Sequence, residues 1–232
     1  IKHGMRAMRG AIEAVQVEPS TGEPHILTIS GKKPLGICGS GIIDAVAELL
    51  EAGILKQNGK FNDEAAGEWL RRNEDGQWEY VLVRDEYTAT GSDIVITEPD
   101  IDNLMRAKGA IFAGITTLLH SVGMEIDAVE QVYVAGGFGK YLQIDRAAAI
   151  GLFPELEPDR FTFVGNGSLL GARLVSFSKD MLEAAEEVAR TMTNVELSDN
   201  QFFMDEYMAA LFFPHTDMKW FPRMEMILHK LG

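Results

Sequence analysis

At residues 132–139 the chain reads VYVAGGFG, an apolar run that passes directly into small residues. The run predicts a buried strand over Gln131–Ala135. Glycines that follow a strand let the backbone approach a ligand closely or adopt positive φ. Two more segments share this design, GICGSG at 36–41 and GNGS at 165–168. The sequence therefore contains three glycine loops of the same design.

A helix is predicted after each loop, at Ser40–Glu51, at Asp145–Ile150 and in a third stretch that ends near Phe177. A helix N-terminus offers free N–H groups and a positive dipole end, which suit a phosphate. One such loop is also explained as a tight turn without a ligand, but three together favour a nucleotide. The P-loop motif is absent, since Gly139-Lys140 is followed by Tyr141 and not by Ser or Thr. The spacing of the glycines at 36, 39 and 41 also differs from G-x-G-x-x-G. P-loop enzymes and simple dinucleotide folds are therefore disfavoured.

The remaining patterns alternate strands with helices. Further strands are predicted at His25–Ser30, Trp78–Arg84, Asp93–Thr97, Phe161–Val164 and, as a short element, Val195–Leu197. Further helices are predicted at Asp63–Arg72, from a Thr97 cap to Val122, at Asp180–Met192 and at Asn200–Phe212. The alternation predicts an α/β fold with a mixed sheet flanked by helices. We expect this domain over residues 1–214 and a tail over residues 215–232.

Composition limits the choice of partners. The 232 residues include 35 acidic and 21 basic side chains, a formal net charge of −14. An acidic surface repels phosphate backbones and anionic lipid, so we expect neither nucleic acid nor a membrane as a partner. No apolar run reaches the roughly 18 residues that cross a bilayer. A cytoplasmic protein is the expectation.

Few side chains indicate metal or acid–base chemistry. The only cysteine, Cys38, permits no intrachain disulfide and no cluster ligated by this chain alone, and a small buried residue is its preferred interpretation. The five histidines have no paired spacing, so no metal site is predicted. Asp44 either faces Mg²⁺ or water or compensates a helix dipole. Asp145 and Arg146 are interpreted as a surface pair. No catalytic base can be assigned.

The loop at 136–139 resembles the adenosine motif of the superfamily of acetate kinase, sugar kinases, heat-shock chaperones and actin. In that superfamily a double glycine after a strand packs against the adenosine of ATP. The segment GNGSLLGA at 165–172 is similar to the connecting motif that follows. The resemblance implies the C-terminal lobe of an actin-like, ribonuclease H-like ATPase fold.

One family resembles the chain more closely, the reductive activators of corrinoid-dependent enzymes. Five segments match in the family's order: GMRA at 4–7, GICGSGIID at 36–44, AGGFG at 135–139, AIGLFP at 149–154 and VGNGSL at 164–169. The resemblance covers residues 1–214. It implies an ATP-dependent activator that reduces inactive cobalt(II) corrinoid proteins to cobalt(I), with ATP and Mg²⁺ as ligands. A corrinoid protein or corrinoid methyltransferase is the implied partner, and a homodimer is compatible.

The family's other parts are not found in this sequence. Its iron–sulfur cluster region and its Asp-Ile-Gly-Thr type of phosphate turn have no counterpart here, so we expect both outside this chain, which is predicted to be incomplete. The resemblance places Gly136, Gly137, Phe138 and Gly139 at the adenosine. It places Gly39, Ser40 and Gly41 nearer the phosphates, and Gly165, Asn166 and Ser168 at the edge of the pocket. Two alternatives remain open, a small-molecule kinase of the same superfamily and a non-enzymatic lobe that docks on a corrinoid protein.

Overall fold

The structure is a computed structural model that describes residues 1–65, 67–136 and 142–231. Its strands are β1 Ala11–Val17, β2 Pro24–Thr28, β3 Gly36–Ile37, β4 Leu70–Arg72, β5 Trp78–Val83, β6 Ile94–Thr97, β7 Val132–Ala135 and β8 Phe161–Gly165. Its α-helices are α1 Gly39–Glu51, α2 Glu98–Ser121, α3 Ile144–Ala149, α4 Gly167–Phe177, α5 Lys179–Thr191, α6 Gln201–Ala209 and α7 Pro222–Leu231. The predicted α/β architecture with helices flanking mixed strands is confirmed.

The strands are divided among three small sheets in the described residues. In the first, β1 pairs antiparallel with β2 and parallel with β3. The second is the antiparallel sheet β4-β5-β6, and the third is the parallel pair β7-β8. Because β7 and β8 run parallel, their carboxyl ends lie at the same edge, where Gly136 follows β7 and Asn166 follows β8.

The long helix α2 begins where its sequence predicts. Thr97 accepts a hydrogen bond from the Asp100 N–H (3.3 Å), and the Asp100 carboxylate accepts one from the Thr97 N–H (3.1 Å). This reciprocal capping box satisfies two N–H groups that the helix itself leaves free. None of the described helices is long and apolar enough to cross a membrane.

The helix predicted at Asp63–Arg72 is wrong. A 3₁₀ turn at Gly67–Trp69 leads into β4, which pairs with β5. Gly67 has φ +54°, which ends local helical geometry, and Arg71 hydrogen-bonds Glu79 on the neighbouring strand (2.9 Å). These cross-strand contacts outweigh local helix propensity. The short strand predicted at Val195–Leu197 is also wrong, since that stretch is irregular.

One continuous core joins the first two sheets to α1, α2 and the C-terminal segment. Residues after Pro214 take part in it, because the side chains of Phe221 and Met224 are fully buried. The buried Lys108 of α2 donates hydrogen bonds to the carbonyl oxygens of Phe212 (2.5 Å) and Pro214 (2.6 Å). The domain boundary at residue 214 stays a prediction.

The β7-β8 pair and the helices after it are much more exposed than this core. The strand at Gln131–Ala135 was expected to be buried, but Tyr133 is 69% exposed and no residue of β7 is buried. Neither α4 nor α5 has a buried residue. The expectation is wrong for this chain because only one partner strand and few side chains cover β7 in the described structure.

Candidate functional site

The loop before α1 is packed tightly on β1. A Cβ added at Gly41 would come closer than 3.0 Å to the carbonyl oxygen of Ile12, so only glycine fits there. The Ser40 hydroxyl donates to the carbonyl of Glu13 (3.1 Å), and Cys38 is buried with its Sγ 3.3 Å from the Ile12 oxygen. Of the last four residues of the loop, Gly39 alone is exposed. Close packing thus accounts for much of this glycine pattern.

The residues at the carboxyl ends of β7 and β8 contact each other directly. The Gly136 N–H donates to the Gly165 carbonyl oxygen (2.6 Å). Both glycines have positive φ, +108° and +65°, and a Cβ at either would meet none of the described atoms within 4 Å. Within the described residues, both backbones are therefore open to the approach of a ligand.

The N-terminus of α4 lies beside these loops. The Asn166 side chain caps it by accepting a hydrogen bond from the Leu169 N–H (3.0 Å). Gly167 lies 3.5 Å, measured from an ideal Cβ, from the Ala135 side chain at the end of β7. Ser168 is exposed in the first turn, where helix N–H groups and the dipole favour an anion. Of the predicted site residues, Gly136, Gly165, Asn166 and Ser168 are therefore neighbours.

Gly137, Phe138 and Gly139, predicted at the adenosine, lie outside the described residues. Both flanks of that segment are fixed. Gly136 on one side is bonded to Gly165, and Gln143 on the other donates its Nε2–H to the Asp44 carboxylate (2.9 Å). One end of the segment is thus joined to the last residue of β8, and the other end is joined to Asp44 in the second turn of α1.

Asp44 is the most perturbed acid near these loops. It is 2% exposed, and burial raises its pKa from 3.8 to about 6, although Arg146 and the hydrogen bond from Gln143 oppose the shift. The sequence suggested a surface pair between Asp145 and Arg146, but Arg146 does not pair with Asp145. It reaches back to α1, where it binds Glu48 and, at 2.7 Å, Glu51.

The contacts of Gln143 and Arg146 could not be found from the sequence, because both are made with residues about 95 to 99 positions away. Gln143 is the N-cap of α3 and Arg146 is the third residue of that helix, and this three-residue spacing was the available signal, since residues three apart share a helix face. In the described part of the chain, no group of three or more His, Cys, Asp or Glu residues is placed to hold a metal ion.

Replacing Asp44 with asparagine is expected to stabilise the protein at pH 7. Between pH 3.8 and about 6 the folded state holds a proton that the unfolded chain has lost, so stability falls as pH rises through this window. Asparagine keeps an acceptor for Gln143 and carries no charge. We expect a gain of about 1–2 kcal/mol at pH 7 and little at pH 4, measured by urea unfolding.

Asp145→Asn is the matched control, because Asp145 is exposed at the start of α3. It should change the free energy of unfolding by less than about 0.5 kcal/mol at both pH values. An Asp44→Asn effect of the same size at pH 4 and pH 7 would contradict the assignment of the shift to this carboxyl.

Comparison with known proteins decides the family. Residues 1–225 match the protein family described as the C-terminal domain of RACo, the ASKHA domain. The chain belongs to this family. The match agrees with the five motifs found in the sequence and extends past Pro214 into α7.

The relatives of this ASKHA domain are named for corrinoid activation. The corrinoid activation enzyme RamQ of Eubacterium limosum is 33% identical over 216 residues, 90% of this chain and 36% of the relative. The [Co(II) methylated amine-specific corrinoid protein] reductase of Methanosarcina barkeri is 27% identical over 201 residues, 86% of this chain and 33% of the relative.

A solved structure shares the fold. The reductive activator for corrinoid, iron–sulfur protein has a TM-score of 0.89 and 48% sequence identity, with 96% of this chain and 35% of that chain covered. The chain therefore spans about a third of the length of the relatives it matches. Resemblance to the reductive activators, inferred from the glycine loops, is confirmed.

Proposed function

We propose that this chain is the nucleotide-binding part of a longer, ATP-dependent activator that reduces cobalt(II) corrinoid proteins to cobalt(I). The observation that carries the proposal is the direct contact between the Gly136 and Gly165 loops beside the N-terminus of α4. The names and lengths of the relatives support it, since each is about three times as long as the part matched.

The glycine backbones and the N-terminus of α4 have the chemistry that a nucleotide site requires. Gly136 and Gly165 leave the backbone open, and the first turn of α4 presents N–H groups at an exposed helix end. We propose that the adenosine lies at residues 136–139, that Gly165, Asn166 and Ser168 form the pocket edge, and that Gly39, Ser40 and Gly41 lie nearer the phosphates, with Gly39 as the exposed residue of the three. Mg²⁺ would accompany the nucleotide through its phosphates, with few ligands from the protein.

The electron for reduction must come from elsewhere. Cys38 is the one cysteine of the chain and it is buried against β1, so this chain cannot hold an iron–sulfur cluster by itself. We propose that the cluster belongs to the part of the activator outside this chain. Nucleotide binding would then act by favouring one conformation of the activator, to the extent that its affinity differs between conformations.

The change Ser168→Asp tests the anion site at α4. A carboxylate in the first turn favours the helix itself, so folding should be retained. It would repel the phosphates, and we expect the Kd for Mg²⁺-ATP to rise more than tenfold by calorimetric titration. Ser176→Asp, at the exposed far end of the same helix, is the control, because eight residues place it about 12 Å away.

Equal affinity in wild type, Ser168→Asp and Ser176→Asp would place the nucleotide elsewhere. The titration should be repeated with the full-length protein, because the chain spans about a third of the length of its relatives. ATP-dependent formation of cobalt(I), followed by the absorbance of a purified corrinoid protein with a chemical reductant, tests the activity. Binding of that protein without ATP-dependent reduction would favour a docking lobe, and a phosphorylated small molecule would favour a kinase.

A further inference from the structure

A groove of about 600 Å³ is lined by residues outside the three glycine loops. Its floor is formed by apolar side chains of β2 and β5 and by Pro34, and its walls are two aromatic residues, Trp69 before β4 and Tyr87 after β5. Pro24, Pro34, Leu82 and Val83 are buried, so the floor belongs to the packed core. The groove is therefore a formed feature of the fold.

The walls carry the residue types that dominate protein interfaces. Tyr87 is 62% exposed, although its ring is largely apolar. The Arg84 guanidinium lies 5.0 Å from the centre of the Trp69 ring and also pairs with Glu68 at 2.8 Å. Tryptophan, tyrosine and arginine are enriched among residues that supply most binding energy.

The wall that bears Tyr87 is fixed before any partner binds. The Ala89 N–H donates to the Pro34 carbonyl oxygen (2.8 Å), and the Asp85 N–H donates to the Asp93 carboxylate (2.7 Å). The Thr88 hydroxyl donates to the Asp85 carbonyl oxygen (3.0 Å). A preorganised wall loses little conformational entropy on binding, which favours affinity.

Charge selects among possible partners. Three carboxylates line the groove, those of Glu23, Glu68 and Glu86, against one cation, Arg84. Of these three carboxylates, only that of Glu68 forms a salt bridge within the described residues, and its partner is Arg84. The rim is therefore acidic around an apolar floor, which suits an apolar side chain with basic neighbours.

We propose that this groove binds a segment of the corrinoid protein in which a large apolar side chain stands beside lysine or arginine. The proposal rests on the function proposed above. The apolar side chain occupies the space between Trp69 and Tyr87, and the basic neighbours face Glu23 and Glu86. The groove would thus dock the substrate protein, at residues distinct from those that bind nucleotide.

Three variants of the full-length protein test this. Tyr87→Ser removes an exposed wall, Glu86→Lys reverses one rim charge, and Glu74→Lys makes the same reversal at an exposed turn outside the groove. The Kd for a purified cobalt(II) corrinoid protein is measured at about 50 and about 300 mM salt. Thermal unfolding and nucleotide affinity of each variant are measured alongside.

We expect Tyr87→Ser to raise the Kd more than tenfold at both salt concentrations. Glu86→Lys should raise it at least fivefold at low salt and less at high salt, because salt screens the lost attraction. Glu74→Lys, the unfolding midpoints and the nucleotide affinity should stay close to wild type.

Three other results would each overturn the proposal, and they can be distinguished from one another. A wild-type protein that binds and activates the corrinoid protein, with both groove variants within twofold of it, overturns the groove alone. Failure of the wild type to bind any corrinoid protein overturns the proposed function together with this inference. A change in oligomeric state with Tyr87→Ser, or loss of fold in the full-length protein, assigns the groove to a second copy or to the rest of the same chain.

Discussion

Replacing Gly151 with alanine is expected to lower the free energy of unfolding by more than about 4 kcal/mol. Gly151 has φ +76°, and an added Cβ would lie closer than 3.0 Å to three backbone atoms of Pro214. Backbone atoms cannot rotate away as a side chain can, so the C-terminal segment would have to move off α2. Urea unfolding monitored by tryptophan fluorescence measures the loss.

Gly76→Ala separates steric overlap from backbone strain. Gly76 has φ +75°, nearly the value of Gly151, but a Cβ there would meet nothing within 4 Å. Strain alone should lower stability by about 1–2 kcal/mol. A similar loss in both variants would mean that Pro214 does not lie against Gly151 as described.

Replacing Lys108 with methionine is expected to destabilise the protein by about 2–4 kcal/mol at pH 9. Methionine fills similar space but leaves the carbonyl oxygens of Phe212 and Pro214 without their donor. At pH 7 the deficit should be smaller, because the wild type itself pays for a buried charge there. The measurement is again urea unfolding, with Lys179→Met on the exposed helix α5 as the control.

The pH dependence of the wild type identifies the lysine. Burial lowers the pKa of Lys108 from 10.5 to about 7, so between these values the unfolded chain binds a proton that the folded state lacks. Stability should therefore rise with pH over this window. Readings are best confined to pH 7–9.5, since the pKa of the buried His215 is lowered to about 4 and that of Tyr80 is raised above its ordinary value of 10.0.

In Lys108→Met the rise of stability between pH 7 and 9.5 should disappear, while Lys179→Met should retain it. A slope that persists without Lys108 would mean that another group titrates in this window. Gly151→Ala and Lys108→Met both perturb the contacts of the Pro214 carbonyl oxygen, which accepts a hydrogen bond from Lys108 and lies against Gly151.

Local signals in the sequence predicted several elements well. Thr97, Pro99 and Asp100 define the start of α2 through chemistry confined to four residues. The apolar spacing after Ser40 likewise predicted α1, although the helix is buried on nearly all sides and not on one face alone. Such features could be found because the interactions that produce them are close in sequence.

Contacts distant in sequence account for what was missed. The strand β4 forms because Leu70 and Arg71 find partners on β5, which outweigh the local pattern. The exposure of Tyr133 could not be inferred from an apolar run, which predicts a strand but not what covers it. Gly41 was assigned to phosphates, yet its need for glycine is explained by the Ile12 carbonyl, which only the fold brings near.

The packing of the C-terminal segment on α2 has a consequence for the folding of the domain during synthesis. Phe112 packs against Trp220 and Phe221, with ring centres 5.5 and 5.6 Å away. Contacts between residues more than a hundred positions apart form slowly, because a long loop must close first. On the ribosome, where synthesis proceeds from the N-terminus, Phe112 stays uncovered until residues 213–224 have been synthesised. The core around α2 is thus completed late in synthesis, and until then its apolar face is available to chaperones.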